Sequence, residues 1–189
     1  MFMLWAIPVG VVLGLILRGS LDGLTGLGFR WAPLAVGGLL VQLVLFTEFG
    51  DRLAGDLGPA TYVFSTAAVF VAVVRNWRLT GMPIVAAGAL SNLVAITSNG
   101  GFMPADAGAL ALAGFDSSGD HTNSVVLADP AVQPLTDIFA LPAWLPLANV
   151  FSVGDVLLGL GLVIVIVAAG GRTRGRPRSA RAFASRCGT

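Results

Sequence analysis

Ser152 and Asp155 lie three residues apart in Phe151-Ser152-Val153-Gly154-Asp155, where an apolar run of the chain begins. That spacing suits two kinds of chemistry. As a helix cap, hydroxyl and carboxylate satisfy free main-chain N–H groups, and the acid complements the positive end of the helix dipole. As a site, an ionisable group where a membrane span meets its surface is a functional candidate in itself. An aspartate-dependent hydrolase needs a second carboxylate, because like charges sharing a water and a proton drive their pKa values apart. Asp137 and Asp129 precede Asp155 in the same polar stretch and are the candidates for that role, with Asn149 beside them.

Two further groups carry polar atoms in a chain that has few. Ser91 and Asn92 sit inside an apolar run that closes on Asn99-Gly100-Gly101. Asn92 and Asn99 are seven apart and share a helix face if the helix extends that far. The amides then serve either as interhelical hydrogen-bond glue with a glycine stop, or as one wall of a pocket. His121, the single histidine, is flanked by Asp116 and Asp120. No zinc-type ligand spacing accompanies it, so no metal and no cofactor is expected, and the group reads as a solvated loop. Proton transfer by His121 is chemically available at neutral pH, but nothing in the sequence positions it.

The elements that must hold these residues are apolar. The chain has 189 residues, 56% of them hydrophobic and 11% charged. Its mean hydropathy is +0.86. A soluble domain carries about a quarter charged residues, so this surplus calls for lipid. Lysine is absent, which excludes Schiff-base chemistry and lysine-dependent phosphate loops. The one cysteine, Cys187, excludes a disulfide framework within the chain.

Five runs approach the roughly 20 residues that span a bilayer: Phe2–Leu17, Trp31–Phe49, Pro59–Val74, Gly81–Ser98 and Val153–Gly170. The first has no basic residue before Arg18, so it is expected to be a retained helix rather than a cleaved signal peptide. The expected fold is thus an all-α integral membrane protein. Residues 1–170 form one transmembrane helical domain, with a partly structured segment, 99–151, between the fourth and fifth spans. Residues 171–189 form an Arg-rich tail, expected to be disordered or laid against anionic headgroups. Within 99–151, a short helix is expected over Ala105–Ala113, a loop over Phe115–Asn123, and a bent, Pro-rich piece over Val132–Trp144.

Charge orients this arrangement. Arg18 and Arg30 follow the first run, Arg75 and Arg78 the third, and Arg172, Arg174, Arg176, Arg178, Arg181 and Arg186 the fifth. Most acids occupy the other segments. Because basic loops stay in the cytoplasm, the N-terminus is expected outside and the C-terminus inside a bacterial plasma membrane. Asn92, Asn99, Gly100, Gly101, His121, Asn149, Ser152 and the three aspartates then share the outer face, where they are expected to build a polar pocket. Membrane lipid is the expected partner, not nucleic acid, and the oligomeric state stays open.

Over most of its length the chain resembles a family of small bacterial multi-pass membrane proteins of unknown function. The motifs that carry the likeness are Asn92 to Asn99-Gly100-Gly101-Phe102-Met103-Pro104, Asp137 to Pro142, and Asn149 to Asp155. This resemblance implies no reaction. A local likeness links Phe151-Ser152-Val153-Gly154-Asp155 to the last motif of lipoprotein signal peptidases, Phe-Asn-x-Ala-Asp. It implies a catalytic role for Asp155 and a supporting one for Asp137. The peptidases' other catalytic motif, Gly-Asn-x-x-Asp-Arg, is missing; Asp129 lies at about the right distance without its neighbours. The function expected is binding or scaffolding through the outer pocket. The alternatives are an aspartate-dependent intramembrane hydrolase, acting on a lipid-attached or membrane-embedded substrate, and a small-molecule transporter. Transport is disfavoured by the lack of an internal repeat and by Gln42 and Asn92 being the only amides deep in spans.

Overall fold

A computed structural model describes residues 3–115 and 124–170. The chain is mostly helical. Five apolar helices coincide with the five runs: α1 (Met3–Arg18), α2 (Ala32–Leu45), α4 (Gly58–Arg75), α5 (Met82–Ser98) and α7 (Val153–Gly170), with short α3 (Glu48–Ala54) and α6 (Ala107–Leu112) between them. Among the described residues two stretches are, by length and composition, long and apolar enough to cross a membrane, Glu48–Arg75 and Val153–Gly170, whereas α1, α2 and α5 are shorter apolar helices.

The second run does not form one helix. Thr47 stops it, donating its hydroxyl to the Val44 carbonyl (2.6 Å) and accepting from the Gly50 amide (3.1 Å), so that it ends α2 and caps α3. Gly50 lies directly against the Val44 carbonyl, an approach that a side chain would prevent. Prolines in the first turns of α2, α4 and α5 start those helices where a missing N–H costs nothing.

The helices stand in a row, in the order α1, α7, α5, α4, α2, each packed mainly on its neighbours. Close approaches give their directions. Gly10 and Gly14 of α1 face Ile166, and Gly170 faces Ser20, so α1 and α7 run parallel. Gly81 meets Gly161 and Val165, while Gly88 meets Gly154 and Leu158, so α5 and α7 are antiparallel. Gln42 donates to Thr66 Oγ1 (3.2 Å), and Gly38 meets Ser65 and Val69, which makes α2 and α4 antiparallel. Large apolar side chains, among them Ile16, Leu43 and Phe64, remain exposed along the row.

The described part of the segment between α5 and α7 is folded and not purely helical. The helix expected near Ala105–Ala113 is α6, capped by Asp106, whose carboxylate accepts from the Ala109 amide (2.9 Å). Two small sheets surround it, an addition to the all-α expectation. β1 (Met103–Pro104) pairs in parallel with β2 (Ser124–Val125), and β3 (Phe139–Leu141) pairs antiparallel with β4 (Asn149–Phe151) in the register Phe139↔Phe151. Prolines 104, 130, 134 and 142 break helical bonding here, so the main chain satisfies its polar groups in short ladders instead. Ala105, Ala109, Leu110, Ala113 and Val150 form a small core beneath Phe115 and Ala140.

Candidate functional site

The polar residues at the head of α7 close on one another. Ser152 is fully buried, and its hydroxyl accepts from the Asp155 amide (3.1 Å) while the Ser152 amide donates to Asp155 Oδ2 (3.1 Å). This is the reciprocal capping box that the spacing allows. Asn92, on the facing helix α5, completes it: Nδ2 donates to Asp155 Oδ1 (2.9 Å) and Oδ1 accepts from the Ser152 hydroxyl (2.9 Å). One amide thereby serves as donor to the acid and acceptor from the hydroxyl, locking α5 to α7 at this end. Both carboxylate oxygens of Asp155 are occupied as acceptors. The approach is possible because residue 154 is glycine: a Cβ there would overlap the Asn92 amide oxygen.

Asn99 does separate work. Its side chain donates to the Ala95 carbonyl (2.8 Å) and to the Ala131 carbonyl (3.0 Å), and accepts from the Ala131 amide (2.8 Å). It ends α5 and holds the loop before β3. The next residue, Val132, is β-branched with φ 49°, a strained conformation kept by these neighbours. Gly100 (φ 70°) takes the left-handed position after the helix, and the Gly101 amide reaches back to the Ile96 carbonyl (2.9 Å), which is a Schellman stop. Gly101 also packs against Pro59 at the start of α4, where a Cβ would clash with main chain.

Among the proposed acids, Asp137 is buried (5% exposed) and its main chain bridges Pro104 and Asp106. Asp129 is exposed. Asp137 lies two residues before β3 and Asp155 in the first turn of α7 just after β4, so the antiparallel pair brings the two to the same end of itself. Asn149 lies in β4, half-buried, opposite Leu141. His121, Asp116, Asp120 and the tail 171–189 lie outside the described residues. Among the described residues no three His, Cys, Asp or Glu side chains converge as metal ligands do.

A cleft opens at the same end of the row, between α3, the start of α4 and the turn after α5. It has a volume of about 480 Å³, and its lining includes Asp51, Asp56, Phe46, Tyr62 and Phe102. Of the residues nominated from sequence, Gly101 alone is among its lining. Phe46 and Tyr62 meet edge to face with ring centroids 4.9 Å apart. Sequence reasoning missed this cleft because its residues come from three separated stretches. It also missed the helix contact behind the clamp, although the glycines at 81 and 88, and at 154 and 161, repeat at seven residues and mark a close-packed face.

Comparison with characterised proteins and with solved structures gives no match. A model of DUF5317, a family of unknown function, matches residues 26–167, and the chain therefore belongs to that family.

Proposed function

We propose that this chain is a five-span protein of the bacterial plasma membrane, N-terminus outside and C-terminus cytoplasmic, with a binding role for the folded outer segment. The supporting observation is charge placed by topology. Arg18, Arg30, Arg75 and Arg78 flank one end of the helix row, while Glu48, Asp51, Asp56, Asp106, Asp137 and Asp155 flank the other. Apolar side chains exposed between the two ends supply the lipid-facing surface that a membrane requires. The shorter helices are matched to the bilayer by local thinning and interfacial flanks.

The outer cleft suits a small organic cation. Asp51 and Asp56 contribute negative charge, and Phe46, Tyr62 and Phe102 contribute aromatic surface. Ring faces attract ammonium groups, more strongly where water is excluded. The test is titration calorimetry of the reconstituted full chain with choline and with putrescine. Binding is expected to weaken about tenfold or more in the Asp51→Asn/Asp56→Asn variant, the factor that ~1.4 kcal/mol represents. Absence of amine binding, or binding indifferent to both substitutions, would reject the reading.

A second reading is an aspartate-dependent hydrolase using Asp155 with Asp137, favoured only by the hairpin that brings both to one end. It requires Asp155→Asn to abolish turnover of a lipid-attached substrate while the protein still accumulates. The clamp requires the opposite. An amide at 155 offers one acceptor where Asn92 and the Ser152 amide need two, so accumulation falls.

A further inference from the structure

At the end of the row opposite the clamp, a second cleft of about 580 Å³ lies between the loop before α2 and the turn after α4. Its lining includes three arginines, Arg30, Arg75 and Arg78, two tryptophans, Trp31 and Trp77, and Asn76. No acid lines it. Among the described residues the only ion pair joins Arg52 to Glu48, at the other end of the row. Asp22, the one acid flanking this end, is engaged by the Ser20 hydroxyl (3.1 Å). Three arginines therefore line one concavity, and among the described residues no carboxylate is ion-paired with them.

The three arginine side chains are exposed, and the main chain that carries them is held in place from beneath. Asn76 is buried, 4% exposed, and takes the Arg30 peptide in both directions: Oδ1 accepts from the Arg30 amide and Nδ2 donates to the Arg30 carbonyl, each at 2.7 Å. The same Nδ2 donates to the Ala72 carbonyl (2.7 Å), which ties the pair to the last turn of α4. Arg30 and Arg75 come from stretches 45 residues apart in sequence and are held to one opening by this single buried amide. Trp31 follows with φ 61°, a left-handed conformation uncommon for an aromatic residue.

We propose that this cleft binds a phosphate group, that of an anionic phospholipid headgroup in the cytoplasmic leaflet. Guanidinium forks match phosphate oxygens in charge and geometry, and indoles settle at headgroup depth. The membrane source rests on the orientation proposed above; the phosphate chemistry does not. The lining residues are separate in sequence from the basic stretch 171–189, which carries six arginines of its own.

The experiment compares the full chain with an Arg30→Gln/Arg75→Gln/Arg78→Gln variant and with a variant in which Arg174, Arg176 and Arg178 are replaced by Gln. Native mass spectrometry counts phosphatidylglycerol retained from phosphatidylcholine nanodiscs containing it. Fluorescence of Trp31 and Trp77, in a Trp5→Phe/Trp144→Phe background, reports binding of inorganic phosphate in detergent. Retention is expected to fall about tenfold or more in the cleft variant and to hold in the tail variant. Phosphate binding lost in the cleft variant without selective lipid retention would identify a soluble phosphate compound as the source. Equal losses in both variants, or no loss in either assay, would overturn the proposal. The detergent arm is independent of membrane orientation, so its failure is distinguishable from failure of the topology. If the triple variant does not accumulate, Arg78→Gln alone is expected to weaken both signals severalfold.

Discussion

Asn92 is the residue on which the acidic end of the bundle turns. Removing its side chain leaves the proton of the buried Ser152 hydroxyl without its acceptor and one oxygen of Asp155 without its donor. A buried polar group left without its partner costs about 1–3 kcal/mol. Asn92→Ala is therefore expected to lower unfolding stability in detergent by about that much, measured by denaturant titration. Ser91 provides the contrast one position away. Its hydroxyl is buried with no hydrogen-bond partner among the described residues. Ser91→Ala removes a desolvated group that receives nothing in return, so it is expected to be neutral or stabilising by up to about 1 kcal/mol. A loss in Ser91→Ala as large as that in Asn92→Ala would show that the Ser91 hydroxyl has a hydrogen-bond partner outside the described residues.

At the scale of elements, the α5–α7 pair is held by main-chain proximity as much as by the clamp. A Cβ on Gly88 would sit 2.5 Å from the Gly154 carbonyl oxygen and 2.8 Å from the Leu158 amide nitrogen, both backbone atoms that cannot yield separately. Gly88→Ala is expected to cost about 1–3 kcal/mol as an overpacked contact. Gly37 in α2 has nothing near its vacant Cβ direction. Gly37→Ala is expected to stabilise by about 0.4–1 kcal/mol, because alanine restricts the unfolded chain and favours the helix. The two substitutions are chemically identical, so opposite shifts in the same unfolding assay isolate the helix contact from helix propensity.

For the whole molecule, the arginine-flanked end and the acid-flanked end define one axis, and orientation is its testable property. In a Cys187→Ser background, a cysteine at the exposed position 128 is expected to react with a membrane-impermeant maleimide on intact cells. A cysteine at the exposed position 80 is expected to react only after lysis. Reversed labelling would invert the topology, exchange the faces of the two clefts and remove the cytoplasmic-leaflet source proposed for the phosphate. The row shape bears on function as well. A line of helices packed neighbour to neighbour leaves the outer flanks of α1 and α2 lightly covered, and the two clefts lie at the helix ends, not in an enclosed centre.

Local chemistry was legible from the chain alone wherever its cause is local. Apolar runs long enough to need burial mark the five principal helices, and Ser152-x-x-Asp155 and Asn99-Gly100-Gly101 announce their cap and stop because capping depends on residues a few positions apart. Arg and Asp segregation suggests an axis for the same reason: it is a property of segments. What required tertiary structure is everything set by pairs distant along the chain. That Asn92 reaches Asp155, that Asn76 holds Arg30, and that Asp51, Tyr62 and Phe102 share a cleft follow from which helices pack together and at what rotation. Glycine repeats hinted at that packing without naming its partner. Main-chain pairing decided the segment 99–151, where proline-interrupted stretches too short for stable helices found one another as strands.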